Sequence, residues 1–174
     1  MRTAIPISLF VISLLSITCE KKQADPPPAD TTIQEPVTIE RRLLDQSGDS
    51  LVQVEFIIKM AKDIHIFSSE SHFFSIKTVE SNGLDTPTLK LPQPKRYRNI
   101  DGTMADTYFD TVKVMLSCRI TALPWKMQGY VQYQACDKAK CFFPSKKWFV
   151  LSSGSAIGSI EQLSDSPPET TGSE

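Results

Sequence analysis

Apolar and polar side chains alternate along much of this chain with a period of two. Val52, Val54, Phe56, Ile58 and Met60 are interleaved with Gln53, Glu55 and Lys59, and Val112, Val114, Leu116, Cys118 and Ile120 with Lys113, Ser117 and Arg119. Successive side chains of a strand point to opposite faces, so this pattern predicts strands with one buried face. Shorter runs of similar character, at Val37 to Leu44, Ile64 to Ser68, Phe73 to Val79, Thr88 to Leu91, Gly129 to Ala135 and Trp148 to Leu151, predict further strands. Turn-forming clusters such as Gln46-Ser47-Gly48-Asp49 and Ser81-Asn82-Gly83 separate them, and no segment sustains a helical period. About seven short strands in roughly 115 residues predict an all-β sandwich of immunoglobulin-like type, with a small barrel as the alternative.

Both ends of the chain break the pattern. Arg2 precedes an apolar run from Ala4 to Ile17, too short for a spanning helix but suited to the core of a secretory signal. The run leads into Ser16-Ile17-Thr18-Cys19, which is similar to a bacterial lipoprotein processing site, although Thr18 is bulkier than the residue usual before the lipidated cysteine. Residues 1–18 are therefore expected to be a lipoprotein signal peptide, with Cys19 as the acylated first residue of the mature chain. An ordinary signal peptide that releases a soluble product is the alternative. Residues 19–37 read as a linker, in which Asp25-Pro26-Pro27-Pro28-Ala29-Asp30 favours an extended spacer. Residues 153–174 are rich in Ser, Gly, Glu and Pro and read as a disordered tail, leaving residues 38–152 as one domain without internal repeats. No second long apolar run follows the leader, so the lipid is expected to be the only hold on the membrane, inner or outer.

Charge narrows the choice of partners. The chain carries 19 Lys and Arg against 20 Asp and Glu, and loss of Arg2 with the leader leaves a mature net charge of about −2. A protein that neutralises nucleic-acid phosphates needs a basic surplus, so no nucleic-acid partner is expected. Lys95, Arg96 and Arg98 with Tyr97 form a small basic and aromatic cluster that reads as a solvated loop.

Chemistry concentrates in Tyr133-Gln134-Ala135-Cys136-Asp137-Lys138-Ala139-Lys140-Cys141-Phe142-Phe143-Pro144, where two thiols flank a predicted strand-to-strand turn. Facing positions across a hairpin can bring Cα atoms into the range of a disulfide, roughly 4.4 to 6.8 Å. Closing so short a loop stabilises a fold by about 2 kcal/mol, a modest return for a mere staple. Lys138 and Lys140 favour a thiolate between them, and Asp137 opposes it. Cys118 falls on the apolar face of its strand and reads as a buried, inert thiol, or else as a regulatory or misfolding partner for Cys136 or Cys141.

The cysteine segment, together with Asp63-Ile64-His65-Ile66-Phe67-Ser68 upstream, resembles the N-terminal periplasmic domain of the thiol:disulfide interchange protein DsbD. The resemblance spans residues 38 to 152 and is most specific in Tyr133-Gln134-Ala135-Cys136 with Cys141 and Pro144. It implies an immunoglobulin-like sandwich whose cysteine pair takes electrons from a thioredoxin-like domain and passes them to periplasmic disulfide isomerases or cytochrome c maturation thioredoxins. By position, Cys141 would form mixed disulfides and Cys136 would resolve them, without a cofactor. His65 would tune thiolate formation, Phe67 would shield the disulfide, and Ile100 in Arg98-Asn99-Ile100-Asp101-Gly102, with Tyr97 as substitute, would take the place of the family's aromatic cap. The membrane conduit and C-terminal thioredoxin-like domain of full-length DsbD have no counterpart in these residues, so a membrane electron donor of the DsbD or CcdA type is expected to act in trans.

Two other classes compete. Cys136, Cys141 and His65 could bind copper or zinc, although the four-residue spacing fits no zinc knuckle and no histidine follows Cys141. A non-enzymatic surface lipoprotein would use the same pair only to staple a hairpin.

Overall fold

A computed structural model describes residues 35–45, 50–68, 73–99 and 101–169. The expected signal peptide, Cys19 and nearly all of the linker lie outside these residues, as do residues 170–174. No helix among the described residues is long and apolar enough to cross a membrane.

The described residues form strands joined by turns and irregular segments: β1 (Val37–Asp45), β2 (Leu51–Met60), β3 (His65–Phe67), β4 (Phe74–Asn82), β5 (Thr88–Lys90), β6 (Lys95–Arg98), β7 (Met104–Phe109), β8 (Thr111–Arg119), β9 (Lys126–Tyr133), β10 (Ala135–Cys136), β11 (Ser145–Ser152) and β12 (Ile160–Gln162). They pair into a five-stranded sheet, β12-β1-β2-β8-β5, a three-stranded sheet, β11-β9-β4, and a four-stranded sheet, β10-β3-β7-β6. Each of these pairings is antiparallel. The five-stranded sheet ends in unpaired edges at β12 and β5, so the predicted sandwich forms and the barrel does not.

Period-two alternation decides which residues make the core. Val112, Val114, Leu116 and Cys118 of β8 and Val52, Val54, Phe56 and Ile58 of β2 turn one face inward, against Met127, Val131, Phe149 and Leu151 of β9 and β11. The Phe56 and Phe149 rings meet across this interface at 5.0 Å. Full burial of each such side chain contributes about 1.5 to 3 kcal/mol, so this interface carries much of the fold's stability. Gly129 lies in mid-β9, opposite Thr78 and Phe149. A Cβ there would strike the Lys77 carbonyl oxygen and come within 2.7 Å of Phe149 Cζ, so the position admits no side chain.

Two stretches differ from their sequence reading. Lys95 to Arg98, expected as a solvated loop, is β6, paired with β7 from Lys95↔Thr107 to Arg98↔Met104. Its apolar content is one ring, Tyr97, and that ring finds a partner surface on β3 and β7. The stretch from 153, expected to be disordered, returns as β12 beside β1 and buries Leu163, 6% exposed, in the core. Ser164 and Trp148 exchange backbone hydrogen bonds at 2.7 and 3.0 Å, which fastens the segment to β11 as well. One leucine in a Ser- and Gly-rich run leaves no periodicity to read, yet it fills a core site.

Lys147 gathers the two flanks of the domain. It occupies the inward row of β11 with Phe149 and Leu151, and its Nζ lies 2.8 Å from Glu35 and 2.6 Å from Asp165. Burial opposes its charge, but the hydrogen bonds it donates to Asp165 and Glu35 outweigh that and raise its pKa.

Candidate functional site

The chain changes sheets at Gln134, two residues before the first cysteine of the pair. β9 ends at Tyr133 in the three-stranded sheet, and β10 begins at Ala135 in the four-stranded one. Gln134 spans the switch, donating from its backbone N–H to Phe73 O at 3.0 Å and from Nε2 to Phe142 O at 3.1 Å. The chain then reverses. Phe142 N–H donates to Ala135 O at 2.8 Å and Asp137 N–H to Lys140 O at 2.9 Å, which leaves Cys136 opposite Cys141 between two hydrogen-bonded rungs. Side chains lie closest at such a pair. The Cα atoms are 3.9 Å apart and the sulfurs are bonded.

Asp137 shapes the turn. Its Oδ1 accepts the N–H groups of Ala139 at 2.6 Å and Lys140 at 2.7 Å. Those two bonds, chiefly, hold its carboxyl below the usual carboxylate range. Lys138 reaches back to Asp63, 2.7 Å away in the turn before β3, and the Lys140 ammonium sits 5.4 Å from the centre of the Phe142 ring.

Beneath the turn lies β3. His65 is in register with Cys136 on one side and Phe109 on the other, while Ile66 points the opposite way into the core. The imidazole is enclosed by rings, with centroids at 4.8 Å for Tyr97, 5.5 Å for Phe109 and 6.1 Å for Phe67. His65 is 4% exposed. Burial lowers its pKa, against the opposing charge of Asp137, so the ring is neutral at neutral pH.

The turn joining β6 to β7 closes the other side. Asn99 N–H donates to Thr103 O at 2.8 Å, Gly102 N–H to Asn99 O at 3.0 Å, and Asp101 Oδ1 accepts from Thr103 N at 2.9 Å and Oγ1 at 2.6 Å. Gly102 has φ +83°, a left-handed conformation that favours glycine. His65, Phe67, Tyr97, Asn99 and Asp101 thus line a recess of about 140 Å³ together with both cysteines. Ile100, the expected cap, lies outside the described residues.

The two sulfur-bearing residues differ in access: Cys136 is 2% exposed, whereas Cys141 is exposed. Cys118 sits on β8 opposite Val52, in a different sheet from Cys136, and burial pushes its thiol up to about 11. Among the described residues no group of three or more His, Cys, Asp or Glu side chains is arranged to hold a metal ion. His65, Phe67, Tyr97, Cys136 and Cys141, singled out from the sequence, therefore converge on one recess. Phe109, Gln134 and the turn-locking Asp137 were not foreseen. For Asp137 a signal existed, since an Asp opening a short polar turn favours such bonds to the backbone ahead of it.

The model of the family "Thiol:disulfide interchange protein DsbD, N-terminal" matches residues 36–153. The chain belongs to this family. As a DsbD N-terminal domain it carries the disulfide on which thiol:disulfide interchange depends. Its fold is similar to that of the reduced DsbD N-terminal domain of Neisseria meningitidis, at 16% identity and a TM-score of 0.50, covering 74% of this chain and 90% of that one. It is also similar to the N-terminal periplasmic domain of ScsB from Proteus mirabilis, at 10% identity and a TM-score of 0.55, covering 71% of this chain and about half, 51%, of that one. At such identities the likeness is one of fold, the immunoglobulin-like sandwich. No curated protein sequence matches the chain.

Proposed function

We propose that this DsbD N-terminal domain works on the periplasmic side of a bacterial envelope, relaying electron pairs through Cys136 and Cys141 between thioredoxin-like proteins. The unequal exposure of two bonded cysteines at the tip of a turn carries the reading. Exchange needs a thiolate to approach one sulfur in line with the bond, and here only the Cys141 side is open to a protein. A partner thiolate attacks Cys141 Sγ, the bond to Cys136 breaks, and Cys136 departs as the thiolate. The partner's second thiolate then attacks its own half of the mixed disulfide and frees Cys141. Two electrons have passed to the pair, and the partner leaves as a disulfide.

The buried leaving thiolate of Cys136 needs charge compensation. His65 is in register with it and starts neutral, so it takes up a proton as the negative charge develops. Phe67 and Tyr97 keep water from the bond, a role the family resemblance extends to Ile100. Cys19 anchors the domain by its acyl chains, and a membrane donor of the DsbD or CcdA type supplies electrons in trans.

The test joins a potential to a trap. Equilibration with thiol buffers should place the pair above about −300 mV, the level below which structural disulfides resist reduction. Cys136→Ser should hold Cys141 in a mixed disulfide with a glutathionylated thioredoxin that lacks its resolving cysteine. A more negative potential together with no adduct would make the disulfide a staple.

A further inference from the structure

Two aromatic side chains flank this turn with no place in the core. Phe143 is 92% exposed and Phe73 45% exposed, whereas phenylalanine is normally among the most buried residues. Both stand at one end of the three-stranded sheet: Phe73 immediately precedes β4, Phe143 lies two residues before β11, and β9 runs between those strands. Gln134, just past β9, hydrogen-bonds the carbonyls of Phe73 and Phe142, which pins the backbone at both aromatics. Pro144 further restricts Phe143 to extended conformations. Phe143 is thus held out in solvent on a short, stiff arm.

Its distance from Cys141 decides what covers it. Two residues of extended chain span at most about 7 Å, so Phe143 starts within the footprint of a protein joined to Cys141 by a sulfur–sulfur bond. On the far side Phe67 lines the recess, and Phe73 continues its surface outward with rings 5.4 Å apart. The apolar surface therefore runs from the disulfide recess to an exposed rim beside it.

We propose that Phe143 and Phe73 form an apolar collar that docks a thioredoxin-like protein, one presenting its reactive cysteine from an apolar surface, while Cys141 exchanges. The inference rests on the exchange reading above. The collar contributes recognition and leaves the sulfur chemistry to the cysteines. Rigid exposed aromatics near the centre of a contact are the residues that dominate protein interfaces. A small dithiol bound at Cys141 has no protein surface to dock, so its reaction does not depend on the collar.

The experiment compares two reductants acting on the purified full-length chain, reduced thioredoxin and dithiothreitol. Phe143→Ser should slow reduction by thioredoxin about tenfold, the loss expected of an interface anchor, with Phe73→Ser smaller in the same direction. Reduction by dithiothreitol and the redox potential should stay as in the unsubstituted chain. An unchanged thioredoxin rate overturns the collar and leaves the exchange reading intact. Equal slowing with both reductants assigns the effect to the turn and also overturns the collar. Failure of the unsubstituted chain to react with thioredoxin, although dithiothreitol reduces it, overturns both.

Discussion

Cys136 and Cys141 face each other across the narrow rung of a two-strand ladder, 3.9 Å apart at Cα, yet only Cys141 is exposed. The backbone makes them near-equivalent, and their surroundings separate them. Cys136 is packed above His65 on β3, whereas Cys141 stands where the chain leaves the turn.

That separation predicts an order of reaction. In the reduced domain Cys141 should be alkylated by iodoacetamide at least about tenfold faster than Cys136, because access as well as thiolate fraction sets thiol reactivity. Cys118, buried and with its thiol pushed up to about 11, should stay unmodified until the domain unfolds. Time-resolved mass mapping checks both; equal rates at Cys136 and Cys141 would remove the basis for assigning them different roles.

Asp137→Ala should loosen the turn, since the N–H groups of Ala139 and Lys140 lose their acceptor. A lower melting temperature and faster amide exchange at these two residues are expected. The carboxyl is held below its ordinary pKa in the folded state, so its contribution is complete above the unfolded value, about 3.9, and fades as pH falls through the folded one. Urea midpoints measured from pH 5 to pH 2 should fall less steeply for Asp137→Ala than for the unsubstituted domain.

His65 contributes a second pH dependence at higher pH. Burial lowers its folded pKa, so the unfolded chain binds the extra proton first as pH falls below about 6.5. The domain should therefore lose stability between pH 7 and pH 5, with the loss levelling off below the folded value. His65→Phe should abolish that slope while preserving the ring contacts with Tyr97 and Phe109. A slope that survives the substitution would place the proton elsewhere.

Leu163→Ala should destabilise the domain by about 2 to 3 kcal/mol, the usual loss for a buried leucine cut back to a methyl group. Denaturant titration measures it. Exchange with dithiothreitol should be unaffected, because Leu163 packs in the core beside β1 and β11 and lines no part of the recess.

The alternation along β8, β9 and β11 was legible because each strand has one face in the core and one outside it, which prints directly as period two; β2 follows the same rule except that Glu55 and Ile57 on its other face are buried as well. β6 and β12 were not legible, for different reasons. In β6 a single ring, Tyr97, does the packing among three basic residues; in β12 no residue is buried and its neighbour Leu163 does the work. At the site, the cysteine spacing announced a turn, and His65 with Phe67 announced a shared face. Phe109 gave no sign, since its contact with His65 comes from pairing between β3 and β7 that no local pattern encodes. Gln134 was hidden inside what looked like one continuous strand, where a change of sheet leaves the alternation undisturbed.

The hydrogen bonds that shape the turn, from Asp137 N–H to Lys140 O, from Phe142 N–H to Ala135 O and from the N–H groups of Ala139 and Lys140 to the Asp137 carboxylate, use only nitrogen and oxygen. Cleaving the sulfur bond removes none of them. The loop is preorganised for both oxidation states, so repeated cycling demands little rearrangement of the surrounding backbone and leaves the sandwich behind it undisturbed.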